Sequence, residues 1–220
     1  MAILLNLHDS ASRCLNVVRR HQRLIKQVVN DNELIQKVQP DYDVLSEKVQ
    51  NREEKEIIRE NAYDDLVLAD RNLDDSLRTV FEKCKQYDRE NLSERILIQI
   101  FPDETYGDLV KLPFAKEVDV INKIAIKLES LGTGHTLYPL RDLLKGKSQL
   151  CETAIQSVED AIREIKLAEA EVEIAKNTLI RCYEANYLDA RKKYGRSTAD
   201  KLFPKVYNRK TTEQIVEEAA

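Results

Sequence analysis

Tryptophan is absent from this 220-residue chain, methionine occurs once, and glycine and proline contribute five residues each. Average chains use those two turn formers at about 12%. A β-sandwich or barrel needs a turn signal at roughly every 8–12 residues, which ten such residues do not supply. The same scarcity excludes collagen-like and Gly/Ser low-complexity classes. Long apolar runs are also missing. Stretches such as Ile96-Leu97-Ile98 fall far short of the roughly 20 residues needed to span a bilayer, so no membrane partner is expected. The start, Met1 to Leu7, lacks the basic segment and long apolar core of a secretory signal. Four cysteines, Cys14, Cys84, Cys151 and Cys182, stand far apart with no CxxC pair. Neither a disulfide framework nor a zinc site is expected from that spacing. They read as reduced, mostly buried thiols of a cytoplasmic protein.

Charged residues make up 34% of the chain and apolar residues 42%. Many charges with few turn formers suit long amphipathic helices, and the expected fold class is all-α. No glycine or proline lies between Pro40 and Pro102, and none between Gly146 and Gly195. Each window reads as one long helix, over residues 41 to 91 and 138 to 194, with Gly146 marking a local irregularity. Shorter helices are expected over 10 to 38 and 113 to 131, the latter with Pro113 in its first turn and Gly132 just past its end. The punctuation recurs. Pro40 and Pro139 each precede an aspartate by three residues (Asp43, Asp142), and Phe101-Pro102 is echoed by Phe203-Pro204. A single helical-bundle domain over 1–220 is inferred, with an internal pseudo-repeat of 1–110 and 111–220.

The strongest periodicity lies in the second long window. Cys151, Ala154, Val158, Ala161, Ile165, Ala168, Val172, Ala175, Leu179 and Cys182 step by three and four without a break. That is a heptad seam with alanine at one position and larger residues at the other. The first long window carries small Ala62, Ala69 and Ser76 against large Leu66, Leu73, Val80 and Tyr87. Rows of small residues let helix backbones approach closely. The expected architecture is an elongated four-helix bundle of two tandem hairpins, each a short and a long helix. Its long helices pack antiparallel in an Ala-rich, coiled-coil-like manner. Leu15, Val18, Ile25, Val28 and Ile35, with Phe114, Val118, Ile121, Ala125 and Leu128, cover the remaining apolar edge. Residues 50–56 contain no apolar side chain and are read as a projecting tip or as a charged surface turn held by pairs such as Arg52 with Glu56.

No catalytic constellation emerges. Di-iron bundles need a Glu-x-x-His step, and His8, His21 and His135 are preceded at that spacing by Leu5, Val18 and Gly132. No HExxH, Walker loop or GxGxxG occurs. Gly132-Thr-Gly134-His135 lacks the following Lys-Ser/Thr and reads as a loop between helices. Cys14 and His21 lie about 10 Å apart along a helix, too far to pair. No cofactor or metal is expected. Tyr183, Tyr187 and Tyr194 read as packing residues, with a stacking platform for rings as the alternative.

Charge is segregated. Residues 41–75 hold 12 acids and five bases, and residues 152–173 hold seven acids and two bases. Residues 191–210 hold eight bases, Arg191, Lys192, Lys193, Arg196, Lys201, Lys205, Arg209 and Lys210, against Asp200 alone. Residues 13–29 add Arg13, Arg19, Arg20, Arg23 and Lys26 with no acid. Helix dipoles favour acids early and bases late in a helix, but the basic run continues past the expected helix end. The leading reading is a non-enzymatic structural or adaptor protein that acts through protein–protein contacts and self-associates, the eight bases forming the docking surface. The alternative is a nucleic-acid accessory protein binding phosphates through the same bases, with Tyr194 and Tyr207 interleaved. Ile3 to Leu7 is expected to cap the bundle end or insert into a neighbouring copy.

Overall fold

A computed structural model describes residues 4–102 and 106–204. Among these residues the protein is all-α: α1 (Ala11–Val28), α2 (Asn32–Glu90), α3 (Ile96–Ile100), α4 (Tyr106–Leu109), α5 (Phe114–Ser130) and α6 (Leu140–Leu202). The chain divides into two compact units. Unit 1 comprises residues 1–54 and 166–220, and unit 2 comprises residues 55–165. Both boundaries fall inside a long helix, α2 and α6.

Helix starts and stops have local causes. Ser10 caps α1, its Oγ accepting the Arg13 backbone N–H at 3.2 Å. After α1 the chain turns at Asn30, which adopts φ 51°, the left-handed conformation that asparagine tolerates best among residues bearing a Cβ. Asp31 then caps α2, accepting the Glu33 N–H at 3.0 Å. The break therefore lies at Asn30 rather than at Pro40, which sits inside α2. A proline denies its own N–H to the carbonyl four residues back, but the Asn30–Asp31 turn already supplies the stop. Around Pro40 two carbonyls of α2 receive side-chain donors from α6: Asn186 Nδ2 reaches Leu34 O at 3.0 Å and the Cys182 thiol reaches Lys37 O at 3.1 Å.

In unit 2, α5 begins just after Pro113 and ends before Gly132, whose φ of +85° places it where glycine is favoured. The expected loop after the first long helix contains two short helices, α3 and α4. Asp88 near the end of α2 starts α3, its carboxylate accepting the Ile96 and Leu97 N–H groups at 2.7 and 3.1 Å. Helical geometry in α6 runs undisturbed through Gly146 and breaks only at Gly195 (φ 76°, ψ 164°). Helix resumes over 196–202, so the expected end near Tyr194 is a kink followed by two more turns.

Unit 1 buries Leu5, Val18, Ile25, Leu34, Val38 and Leu45 with Leu179, Tyr183, Ala190, Leu202 and Phe203. Leu5 thus packs within its own chain. Unit 2 buries Leu66, Leu73, Leu77 and Val80 with Ile100, Val118, Ile121, Leu128, Leu144 and Cys151. Each fully buried leucine contributes about 1.5–3 kcal/mol. Every residue of the α6 seam from Cys151 to Cys182 is buried or half-buried. Of the expected edge residues, Val28 stands apart: it is 48% exposed. The apolar-free stretch 50–56 is helical, with Arg52 and Lys55 reaching Glu169 and Glu164 of α6 at 3.7 and 3.1 Å.

Candidate interaction surface

The basic run divides in three. Arg191, Lys192 and Lys193 occupy the last turn of α6 before the Gly195 kink, while Arg196 and Lys201 lie in the helical segment beyond it; all five are exposed. Lys205, Arg209 and Lys210, with Tyr207, lie outside the described residues. Lys193 is committed internally, bonding Asp31 at 2.9 Å and Glu33 at 3.4 Å. Tyr194 donates its hydroxyl to the same Asp31 carboxylate at 2.7 Å. The Lys193 bond, reinforced by Tyr194 and two backbone N–H groups, holds Asp31 down at about 2 against the opposing effect of burial. Lys193 is accordingly a structural clasp between the end of α6 and the α1–α2 turn. Arg191, Lys192, Arg196 and Lys201 make no ion pair among the described residues. Arg20, Arg23 and Lys26 of α1 are likewise exposed without an ion pair among the described residues, whereas Arg13 holds Asp9 at 3.0 Å. By contrast Lys37, Lys48 and Lys55 of α2 all meet acids of α6: Asp189, Glu171 and Glu164.

The tyrosines and the histidine nearest this surface are engaged in the core. Tyr183 is fully buried, and Tyr187 donates to Asp200 at 2.9 Å. His21 is fully buried, with its ring 4.0 Å from that of Phe203 and 5.1 Å from that of Tyr183. A carbonyl only accepts, so the 2.8 Å bond to Leu202 O fixes the proton on His21 Nδ1. Nε2 then accepts from Asn186 Nδ2 at 3.0 Å. Burial pulls the imidazole down to about 4, against the raising effect of the Leu202 bond. His21 therefore pins the segment beyond Gly195 to α1 as a neutral ring.

Unit 2 contains a buried acid cluster absent from the sequence reading. Glu117 of α5 is 2% exposed. Burial raises its pKa well above the carboxylate range, and Asp74 and Asp70 of α2 add to the rise. Asp70 is also raised, by burial and by Asp74. Asp70 Oδ1, Asp74 Oδ1 and Glu117 Oε1 are buried without an ordinary donor. A protonated Glu117 donating to its aspartate neighbours satisfies this arrangement. The sequence held a signal: Glu117, Ile121, Ile124 and Leu128 step by four, three and four, an acid in an apolar stripe. His21 occupies the same kind of position between Val18 and Ile25. No group of three or more His, Cys, Asp or Glu among the described residues is arranged to hold a metal ion.

All four cysteines are free. Burial pushes Cys14, Cys151 and Cys182 up to about 11 and Cys84 up to about 12, with neighbouring acids adding to each. Thiols so raised are poor nucleophiles at neutral pH. No described helix is long and apolar enough to cross a membrane. Comparison with protein-family models, curated proteins and solved structures finds no match.

Proposed function

We propose that the protein is a non-enzymatic helical structural or adaptor protein that works through its surfaces, and that it self-associates by docking the basic end of unit 1 on an acid-rich flank of another copy. One observation carries this reading: Arg191, Lys192, Arg196 and Lys201 stand exposed without an ion pair among the described residues, while the chain concentrates acids over 41–75 and 152–173. Complementary patches of this kind steer and orient association. Antiparallel pairing of α2 with α6, covered by α1 in unit 1 and by α5 in unit 2, is the scaffold inferred. Its support is the falling order of the α6 partners: Asp189, Glu171 and Glu164 for Lys37, Lys48 and Lys55. A cytoplasmic setting fits four unpaired cysteines. The phosphate-binding alternative loses its described stacking residue, because Tyr194 is tied to Asp31.

Light scattering on a sizing column tests the reading. At about 50 mM salt the mass is expected to exceed 25.5 kDa and to rise with concentration. At about 500 mM, where exposed charges are screened, it should fall toward the monomer. A monomer at every salt and concentration removes the self-association reading.

A further inference from the structure

Unit 2 carries an open groove of about 510 Å³ between α2 and α6. It lies where the seams of both helices turn small, with Ala62, Ala69 and Ala154 among its lining residues. Alanines leave volume unfilled, and the larger neighbours stand without partners. Ile58 is 52% exposed, and Leu68 and Leu150 are 59% exposed each. Asp65 joins the lining, within the stretch 41–75 where acids outnumber bases by 12 to five. The groove therefore offers apolar walls in an acid-rich setting. Its complement is an apolar side chain flanked by cations.

Unit 1 presents such a group. Leu188 of α6 is 54% exposed. Arg191 and Lys192 follow it by three and four residues, on the same helix face, and neither makes an ion pair among the described residues. Building on the self-association proposed above, we infer that the groove of unit 2 receives the Leu188 face of a second copy, with Arg191 and Lys192 set against its acidic surroundings. The surfaces differ, so the contact is heterologous: each copy keeps one groove and one Leu188 face for further neighbours.

A complementation experiment tests this. Variant one removes the groove walls (Leu68→Ser with Leu150→Ser). Variant two removes the inserted face (Leu188→Ser, Arg191→Glu and Lys192→Glu). All five positions are exposed, and far-UV circular dichroism checks that each variant keeps its helices. By sedimentation velocity at low salt each variant alone should associate at least about tenfold more weakly than the unaltered chain. Mixed one to one, they should form a pair, because one supplies an intact face and the other an intact groove. A mixture that stays monomeric overturns the inference, as does a groove variant that associates normally. In the latter case, loss of association in variant two alone leaves the charge-driven reading standing without the groove. If the unaltered chain never associates, both readings fall.

Discussion

Acid titration of His21 separates the structural role assigned here from a mere surface histidine. The unfolded chain takes up a proton near the ordinary value of 6.5, whereas the folded ring does not until about 4. Between those values protons bind the unfolded state preferentially, so stability falls as pH drops through the window and the loss is complete near pH 4. The gap corresponds to about 3 kcal/mol at 1.36 kcal/mol per pH unit, a large fraction of the 5–15 kcal/mol typical (about) of folded domains. Replacing His21 by Phe removes both of its hydrogen bonds and should cost about 2–3 kcal/mol at pH 7. The variant has no imidazole to titrate. Its deficit relative to the unaltered chain should therefore shrink steadily below pH 6.5 and nearly vanish by pH 4. Urea unfolding followed by circular dichroism at several pH values reads the difference, and other titrating groups cancel between the two chains. Carbon-bound proton shifts of the three histidines give an independent check. A His21 midpoint near 6.5, or a constant difference between the chains from pH 7 to 4, refutes the reasoning.

Two further perturbations follow from buried features. Glu117 is protonated in the fold but ionises when unfolded, so stability falls as pH rises from 4.5 toward its raised folded value. Glu117→Gln keeps the shape without the proton and should gain at least about 1 kcal/mol over the unaltered chain between pH 5 and pH 8 in urea unfolding; an unchanged difference rejects the shared-proton account. Pro40→Ala restores an amide to the interior of α2 and should stabilise by about 1–3 kcal/mol; a lowered thermal midpoint would mean that proline is required for the local path of α2.

Periodicity and punctuation carried most of the helical layout. Helix α5, bounded by Pro113 and Gly132, and the end of α2 at Glu90 lie within two residues of expectation, because the deciding terms are local. Pro40 misled for a physical reason. A helix tolerates an interior proline when another residue supplies the stop, and here the Asn30 turn and the Asp31 cap do so. The kink at Gly195 was hidden because the chain resumes helix after it, held by His21 and Phe203 across a separation no local pattern reports. Among the candidate bases, spacing alone does not distinguish Lys193 from Lys192. Only the fold shows that Asp31, distant in sequence, binds one and leaves the other in solvent. The acid cluster escaped because its members come from different helices, although Glu117 interrupted an apolar stripe in plain view.

The bond from His21 to Leu202 joins residues 181 apart in the chain, and the whole of unit 2 lies between them. Order of synthesis therefore bears on assembly. Residues 55–165 leave the ribosome as one continuous stretch, while α1 must wait for the final turns of α6 before its buried face is covered. Collapse of the intervening unit shortens the search by which the two ends meet, since closing a loop costs more as the free chain within it lengthens. Until then His21, Val18 and Ile25 remain uncovered on α1. The nascent chain thus carries its most exposed apolar helix face longest, at the stage when it has the fewest means of hiding it.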